Sequence, residues 1–511
     1  MTNKQTFDAI VIGSGFGGAV LACRLSNAGL RVAVLERGRR WGVDFPRPGS
    51  SAPWRWNETN RGLFELRSFS HMDVIVAAGL GGGSLIYTNI QQRAHTDAFT
   101  QGWPAEITRS SLDPYYDLVE QMLRPALAPT GSRTALATAA QAAGIANRLA
   151  QPRLAICWET PGKDLFNEFG ARQRGCTGCG LCVLGCCEGA KNTLDLNYLK
   201  VAEDRGALLL PGHEAIGIAT VAVGYQVDCQ VHNEQGTTEH RQFIAPRLVI
   251  AAGTLGSNQL LLRSKFILKT LPALSNALGK NFSGNGDFFA AALGTSMAIE
   301  RSGPSVTAML DYWPEGRFLL LEGIVPELFG EKMARPITAL SRLYNYRKHL
   351  DNFWRQWFGK PLRSTLPDYN RTTALAHTLL FFLMGVDASD GELSLDKQGR
   401  LTLAWHNRGS LPLFRTMIRE LGKLAKGLDA WLILSPSWWL GRRLATVHPL
   451  GGCAMSDDPA KGVVSPAGEV YGYPGLYVAD GSLMPRAIGV PPSATIAALA
   501  ERIAARLIET L

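Results

Sequence analysis

The chain has 511 residues, of which 46% are hydrophobic and 19% charged, and its formal net charge is +9. It is too long for one simple core, so we expect two or more closely built domains. The positive charge comes without the long Lys/Arg run or recognition motif of a nucleic-acid binder, so we expect no nucleic-acid partner. The charge suits an anionic membrane surface or an acidic redox protein as a partner, and it suits a solvated basic surface equally well.

The first residues, MTNKQTFDAIVIG, lead almost directly into an apolar strand and lack the charged and apolar regions of a signal peptide. The longest apolar run, residues 378–386, is too short to span a bilayer. We therefore expect a cytoplasmic protein, with attachment to the periphery of the inner membrane as the alternative. In a reducing compartment, clustered cysteines bind metals or act in catalysis more often than they form disulfides.

The first predicted element is the buried parallel strand AIVIG, which ends in a glycine-rich turn and a helix. Gly13, Gly15 and Gly18 form the pattern G-x-G-x-x-G. These glycines permit the turn, let a pyrophosphate approach the backbone, and let the helix lie close to the strand. The next predicted strand, RVAVLE, ends in Glu36, whose carboxylate can accept hydrogen bonds from an adenosine ribose. This order of elements predicts a dinucleotide site without choosing between FAD and NAD.

Five cysteines fall in the segment RGCTGCGLCVLGCC, residues 174–187. Four of them have the C-x2-C-x2-C-x3-C spacing of a bacterial ferredoxin, namely Cys176, Cys179, Cys182 and Cys186. This spacing predicts a [4Fe–4S] or [3Fe–4S] cluster, because zinc sites generally use two separated pairs. Zinc, two local disulfides and unliganded thiols remain alternatives. Cys187 or the distant Cys157 could replace Cys186 as the fourth ligand.

Three further stretches carry glycine clusters after apolar segments: GLGGGSLIYTN (79–89), AAGTLGSNQLLLRS (251–264) and the segment 448–485, which begins HPLGGCAMSDDP. Together with the first motif they resemble the glucose–methanol–choline (GMC) oxidoreductases, and in particular the cholesterol-oxidase-like bacterial members. Because the matches lie near both ends and in the middle, the resemblance covers nearly the whole chain.

The resemblance implies FAD as the cofactor. It assigns the cofactor contacts to three further groups of residues: Gly82, Gly83, Ser84 and Asn89 along the pyrophosphate and isoalloxazine; Gly253 and Ser257 near the adenosine; and Asp480 and Gly481 near the ribityl chain. Glycine clusters suit these places because they expose backbone N–H groups to anionic oxygens. Some family members attach FAD through a histidine in the first loop. Ile86 stands at that position, so we expect non-covalent FAD.

The same resemblance identifies His448, in the motif HPLGGC, as the catalytic histidine. Alcohol oxidation needs a base to remove the O–H proton while hydride leaves carbon for flavin N5, and histidine suits this role. The family usually places Asn or His as a second partner where Pro491 stands in this chain. Proline has no side-chain donor or acceptor. Either His448 works without this partner, or the chemistry differs from simple alcohol oxidation.

The order of the motifs predicts an α/β, Rossmann-like FAD-binding domain that is discontinuous, and an α+β substrate domain with a mainly antiparallel sheet. We assign the chain as follows: residues 1–125, 190–285 and 446–511 to the FAD-binding domain, 165–195 to the cysteine-rich loop, and 286–445 to the substrate domain. Within the last of these, residues 378–405 read as strands joined by Asp/Gly turns. We expect Ser493 to cap the final helix.

Residues 332–363 combine eight Lys/Arg with six aromatic residues, and residues 431–443 pair three tryptophans with two arginines. Such segments suit an interface with anionic lipid, a lid over an apolar pocket, or ordinary core and surface packing. The first two interpretations favour a hydrophobic alcohol such as a sterol, a terpene or a long-chain alcohol.

We therefore expect an FAD-dependent dehydrogenase for a hydrophobic alcohol, with electrons leaving through an iron–sulfur cluster to a quinone, a cytochrome or a ferredoxin. Two alternatives remain. One is an oxidase similar to cholesterol oxidase, which passes electrons to dioxygen. The other is an electron-transfer flavoprotein without alcohol chemistry.

Overall fold

The computed structural model describes residues 4–47, 50–57, 59–129, 131, 133–232, 238–325 and 375–511. The basic and aromatic segment 332–363 lies outside these ranges, so its lid and lipid interpretations stay predictions. The described helices are α1 Phe16–Asn27, α2 Arg109–Leu123, α3 Thr134–Ala142, α4 Tyr198–Asp204, α5 Gly253–Leu262, α6 Leu411–Gly427, α7 Pro436–Gly441 and α8 Ser493–Glu509.

The described strands lie in two large sheets and several smaller ones. In chain order they are β1 Lys4–Thr6, β2 Ala9–Ile12, β3 Val32–Glu36, β4 Phe64–Ser68, β5 Met72–Ala77, β6 Leu149–Ala150, β7 Asp164–Phe166, β8 Arg172–Arg174, β9 Leu208–Pro211, β10 His213–Val221, β11 Gly224–His232, β12 Thr238–Ala245, β13 Arg247–Ile250, β14 Phe288–Leu293, β15 Met309–Asp311, β16 Phe318–Gly323, β17 Thr378–Gly385, β18 Glu392–Leu395, β19 Leu401–Ala404, β20 Trp431–Leu434, β21 Leu444–Thr446 and β22 Leu476–Val478. The smaller sheets have the orders β1-β12-β11-β10, β21-β5-β4, β18-β19 and β7-β8.

A five-stranded parallel sheet forms the centre of the nucleotide-binding part. Its order is β22-β13-β2-β3-β9, and each neighbouring pair is parallel. Strands β2 and β3 are buried along their whole length, as expected for parallel strands covered on both faces. The carboxyl ends of parallel strands meet at one edge, so the glycine-rich turn after β2, helix α5 and the loop after β22 lie together.

Two glycines let α1 lie close to this sheet. Gly13 has a φ of +95°, and a Cβ atom there would lie 2.2 Å from the carbonyl oxygen of Ala251. At Gly17, a Cβ atom would lie only 1.4 Å from the carbonyl oxygen of Ala479. The start of α1 therefore fits against the segments after β13 and β22 only because these positions lack side chains.

The first and last of the described helices are joined by a buried carboxylate. Glu501 of α8 accepts two hydrogen bonds from Arg24 of α1, each at 2.7 Å. The hydroxyl of Tyr198, in α4, donates a third at 2.7 Å. Only 2% of the Glu501 side chain is exposed. Glu501 thus connects three helices that are far apart in the sequence.

A six-stranded sheet faces the nucleotide-binding part. Its order is β20-β14-β17-β16-β15-β6, and all its pairs are antiparallel. The amphipathic helix α6 covers part of it with buried residues that include Phe414 and Met417. Trp438 is buried between Phe288 and Phe414, with ring centroids 5.2 and 5.5 Å away. Trp438 therefore packs in the core, as the third interpretation of segment 431–443 expects.

The predicted fold class is confirmed, since an α/β part with parallel strands adjoins a part with a mainly antiparallel sheet. Residues 378–405 form β17, β18 and β19, as predicted. The domain boundaries stay predictions, and β6 joins the antiparallel sheet from outside residues 286–445. The cap prediction is wrong. Pro492 is the N-cap of α8, and the hydroxyl of Ser493 donates to the carbonyl of Ile90 at 3.4 Å.

Among the described helices, none is both long and apolar enough to cross a membrane.

Candidate active site

A cavity of about 780 Å³ lies between the edge of the parallel sheet and the antiparallel sheet. The glycine-rich turn, the loop after β5 and the start of α5 line one part of it. Strands β14, β16 and β17 and the loop after β21 line another. Nine predicted site residues contribute to its wall: Gly13, Gly15, Glu36, Gly82, Gly83, Gly253, His448, Asp480 and Gly481. Ligands bind at this edge of open α/β sheets in general.

Glu36 lies at the end of β3 and is held by the turn after β2. Its Oε2 atom accepts from the hydroxyl of Ser14 at 2.6 Å and from the backbone N–H of Ser14 at 3.2 Å. Its Oε1 atom accepts from the N–H of Gly38 at 2.8 Å. This carboxylate is fixed toward the cavity and retains lone pairs for ribose hydroxyls. Sequence reasoning missed Ser14, which holds Glu36 in place.

The backbone around this part of the cavity fits the extended FAD molecule. A Cβ atom at Gly15 or at Gly253 would meet no protein atom within 4 Å, so both positions face open space. Both glycines line the cavity, and backbone N–H groups there can meet a pyrophosphate. Asn89 is fully buried, and its side-chain amide has no partner among the described residues. The neighbouring residues Thr88 and Ile90 line the cavity. The open space at Gly15 and Gly253 is a feature that a bound cofactor would fill.

Two of the predicted serines support the cavity wall from behind. The hydroxyl of Ser257 donates to Asp480 at 2.5 Å, and Asp480 also accepts from Gly253 and Ser482. Burial raises the pKa of Asp480, although these hydrogen bonds oppose that rise. Ser84 is buried, and its hydroxyl donates to the carbonyl of Gly81 at 2.7 Å. The structure does not place Gly18, Ser84, Asn89 or Ser257 on the cavity wall itself.

A charged group closes the end of the cavity near Glu36. Arg37 forms a short ion pair with Glu65, and Arg67 donates to Glu65 at 2.7 Å. Although burial works in the opposite direction, these two guanidinium groups hold the pKa of Glu65 below its usual value.

His448 lies at the other end, and its ring contacts a carboxylate that sequence reasoning missed. The Nδ1 atom of His448 lies 2.8 Å from Oδ1 of Asp287. The side chains are 21% and 2% exposed, respectively. Asp287 directly precedes β14, and its only sequence signal is an acid after the turn residues GNG.

Apolar side chains surround His448 in the cavity. Those that line this end include Ile86, Phe289, Leu321, Phe382, Met384, Val447, Pro491 and Ile496. Pro491 is buried and lies on the wall, where the family's second polar partner was expected. Asp287 and His448 therefore share the cavity wall with many apolar side chains.

The cysteine-rich loop lies beside the cavity. Val183 lines the cavity, and the ammonium group of Lys191 donates to the carbonyls of Leu85, Tyr87 and Cys182 at 2.8–3.0 Å. Burial lowers the pKa of Lys191 to about 8. Lys191 thus ties the cysteine-rich loop to the glycine loop after β5.

All nine cysteines lie in the described ranges as free thiols. Burial raises the pKa of Cys176 to about 12, as do the nearby sulfurs of Cys182, Cys186 and Cys179. Across the described residues there is no group of three or more His, Cys, Asp or Glu side chains that could hold a metal ion. The predicted iron–sulfur cluster therefore gains no support from the described residues.

Comparison with known proteins places this site in a family. The family models for GMC oxidoreductases match residues 7–284 and 438–500. Cholesterol oxidase of Mycobacterium tuberculosis is 29% identical over 98% of this chain and 91% of its own length. Cholesterol oxidase of Acinetobacter baumannii is 28% identical over 98% of this chain and 94% of its own.

A solved structure, that of a fungal aryl-alcohol oxidase, shares the fold with a TM-score of 0.62 at 16% identity, over 99% of both chains. The family matches span both ends of the nucleotide site, including Glu36 and His448, and the predicted resemblance is confirmed. The chain belongs to the GMC oxidoreductases, FAD-dependent enzymes that act on alcohols.

Proposed function

We propose that this protein oxidises a hydrophobic alcohol to the carbonyl compound, with His448 as the general base. The observation that carries the proposal is the position of His448. Its imidazole lies on the wall of one continuous cavity, where a glycine-lined nucleotide cradle meets an apolar compartment.

Four backbone regions would hold FAD without a covalent bond: the turn after β2, the loop after β5, the start of α5 and the loop after β22. Ile86 lines the cavity and offers no atom for attachment. When bound, FAD supplies the acceptor for the hydride of the alcohol carbon.

His448 takes the hydroxyl proton. A carboxylate only accepts hydrogen bonds, so Nδ1 must carry the proton shared with Asp287, and neutral His448 has its lone pair on Nε2. Among the described residues, no protein group bonds to Nε2. The alcohol O–H can therefore donate to Nε2 and transfer its proton as hydride leaves the adjoining carbon.

The apolar compartment favours a substrate with one hydroxyl on a large hydrocarbon body. Buried apolar area contributes about 25 cal/mol per Å², whereas an unpaired polar group there costs about 1–3 kcal/mol. A sugar would leave several hydroxyls without partners against Phe289, Phe382 and Pro491. The names of the two cholesterol oxidases support a sterol, and a long-chain alcohol has the same chemistry.

Dioxygen is the proposed acceptor, giving one carbonyl product and one hydrogen peroxide for each alcohol oxidised. The oxidases related to this chain over nearly its full length support this choice. The ferredoxin-like cysteine spacing favours the alternative of a one-electron carrier such as a quinone, a cytochrome or a ferredoxin. Anaerobically purified protein with stoichiometric iron and acid-labile sulfide, and without peroxide release, would establish that alternative.

The function is tested on purified, flavin-loaded protein with cholesterol, 1-dodecanol and glucose, by anaerobic loss of flavin absorbance and by peroxide release in air. We expect cholesterol or dodecanol to exceed glucose in kcat/KM by at least about 10-fold, since a glucose-sized polar surface is costly to bury. Rapid oxidation of glucose alone would contradict the proposal.

In the variant His448→Asn we expect the rate of flavin reduction to fall about 10²- to 10⁴-fold. Asparagine retains a donor for Asp287 but lacks the acceptor at Nε2. Equal rates of flavin reduction in wild type and His448→Asn would show that His448 is not the general base.

A further inference from the structure

The carboxylate behind His448 carries an inference that rests on the proposed function. We infer that Asp287 is a positioning residue for the proton acceptor, which fixes the orientation and the tautomer of the His448 ring. Asp287 also lines the cavity, and its Oδ1 atom faces the histidine ring. In this chain, the ring of His448 contacts the Asp287 carboxylate. Position 491 holds a proline, which supplies neither an amide nor an imidazole.

The hydrogen bonds of Asp287 determine where its oxygens lie. Oδ1 faces Nδ1 of His448 at 2.8 Å. Oδ2 accepts from the backbone N–H of Val447 at 2.9 Å and lies 2.9 Å from the hydroxyl of Thr446. Both oxygens are thus directed at the segment 446–448. The carboxylate cannot rotate away from the histidine without breaking these contacts.

The histidine is held at its backbone as well. The N–H of His448 donates to the hydroxyl oxygen of Thr446 at 2.9 Å. Thr446 and Asp287 are both buried. Asp287 is the charged side chain that contacts His448 among the residues that the structure describes. The ring therefore has one charged neighbour, which contacts it at Nδ1.

This arrangement has a chemical consequence. A carboxylate accepts from Nδ1–H, so Nε2 is left unprotonated, whereas isolated neutral histidine prefers the opposite tautomer. When Nε2 takes the alcohol proton, the ring becomes positively charged and the O–H bond is broken. Asp287 remains ionised and stabilises that charge, as the aspartate does in Ser-His-Asp triads.

The pair also joins two parts of the fold. Asp287 precedes β14 of the antiparallel sheet, and His448 follows β21 of a different sheet. The proton acceptor is therefore assembled only when these sheets are docked, which places the base at their junction.

The test uses Asp287→Asn in flavin-loaded protein. An asparagine amide can donate to Nδ1, which stabilises the tautomer that cannot accept a proton at Nε2. We expect the rate of flavin reduction by the best alcohol to fall roughly 10²-fold. We expect the acidic limb of the pH–rate profile to move to lower pH, since the charged ring loses its counter-ion. FAD affinity should be unchanged.

A second readout does not depend on turnover. Proton–nitrogen NMR of histidine-labelled protein should show His448 protonated at Nδ1 in the wild type at alkaline pH, and protonated mainly at Nε2 in Asp287→Asn. The His448 resonance is identified by its absence from the spectrum of His448→Asn. An unchanged tautomer and an unchanged pH profile in Asp287→Asn would overturn the inference.

The matched control is Asp387→Asn. Asp387 is also a buried carboxylate, and it accepts from Ser283, Gly284 and Gly286 in the same loop without contacting His448. We expect this variant to lose thermal stability and to retain the wild-type tautomer and pH profile. If Asp387→Asn shifted them as Asp287→Asn does, the role of Asp287 would be structural only.

If Asp287→Asn does not fold, Thr446→Val and Thr446→Ser provide the test. Valine removes the hydroxyl next to Oδ2, and serine keeps it. We expect a loss of rate and a mixture of tautomers only with valine, and equal behaviour of the two would contradict the inference.

Failure of the proposed function has a different signature. If wild-type protein reduces its flavin with none of the alcohols, the function is wrong, and the NMR readout still decides the role of Asp287.

Discussion

Pro491 changes what the proposed reaction demands of His448. Its ring lies on the cavity wall and has no side-chain hydrogen-bonding group. A substrate hydroxyl near His448 therefore gains no side-chain hydrogen bond from position 491. The alcohol has fewer polar contacts to orient it, so shape and hydrophobic contact must contribute more to binding. Under the proposed function, this favours bulky, rigid or long substrates over small ones.

Cys23 allows a residue-level prediction about stability and pH. It is fully buried in α1, and burial raises the pKa of its thiol from 9.0 to about 11. Between these values the unfolded chain loses the proton and the folded protein keeps it. The stability contributed by the buried, protonated thiol is therefore fully present below pH 9 and is lost as the pH rises through 11.

We predict that the stability advantage of wild type over Cys23→Ala falls between pH 9 and pH 11, by up to about 1.4 kcal/mol per pH unit. Denaturant unfolding of both proteins at pH 8, 9 and 10 measures the difference, in which the titration of other residues cancels. Parallel pH dependences would show that the Cys23 thiol titrates alike in the folded and unfolded states.

Single residues differ in how far the sequence reveals them. His448 is predictable because its motif, HPLGGC, is contiguous. Asp287 is not, because its partner lies 161 residues away and an acid after GNG looks like an ordinary turn. Ser14 is missed for a similar reason, since its hydrogen bond to Glu36 spans 22 residues.

At the scale of elements, glycine has two different roles in the connection from β2 to α1: close packing and space for a ligand. Gly17 is packed against the backbone after β22, whereas Gly15 faces the open cavity. We predict that Gly17→Ala loses both folded protein and FAD, because its Cβ atom collides with a carbonyl. We predict that Gly15→Ala folds normally and binds FAD at least about 10-fold more weakly, because its methyl group occupies the space for the pyrophosphate.

Thermal melting of the apoproteins and titration with FAD distinguish the two variants. Equal FAD affinity in wild type and Gly15→Ala would show that the pyrophosphate does not bind at this turn. A normally stable Gly17→Ala would show that the contact between α1 and Ala479 can relax.

Elements with a local signal were predictable, and contacts between elements were not. The strands of residues 378–405 follow from their apolar runs and Asp/Gly turns, and the first strand and helix follow from the glycine motif. The cysteine spacing is also local, but a metal site needs the sulfurs to converge in space, and spacing alone does not ensure that. The prediction that Ser493 caps α8 failed because the Ser493 hydroxyl donates to the carbonyl of Ile90, which belongs to a distant segment.

At the scale of the whole molecule, Glu501 joins segments from opposite ends of the chain. Its bonds to Arg24 and Tyr198 span 477 and 303 residues. We predict that Glu501→Gln lowers the free energy of unfolding by about 1–3 kcal/mol, because Arg24 and Tyr198 lose a charged acceptor in a buried place.

Glu509→Gln is the matched control on the same helix. Glu509 is 66% exposed and lies 3.8 Å from Arg506, so its loss should change stability by less than about 0.5 kcal/mol. Denaturant unfolding measures both variants, and equal effects would contradict a special role for Glu501.

The strand order of the parallel sheet also bears on biosynthesis. Strand β22, at residues 476–478, supplies an edge of the sheet, and β2 and β3 lie among the first 36 residues. At about 5–20 residues per second, a ribosome needs tens of seconds to make the chain between them. During that time the apolar faces of the first strands and of α1 lack their final partners. We therefore expect nascent chains to depend on chaperones, and flavin to be loaded after release from the ribosome.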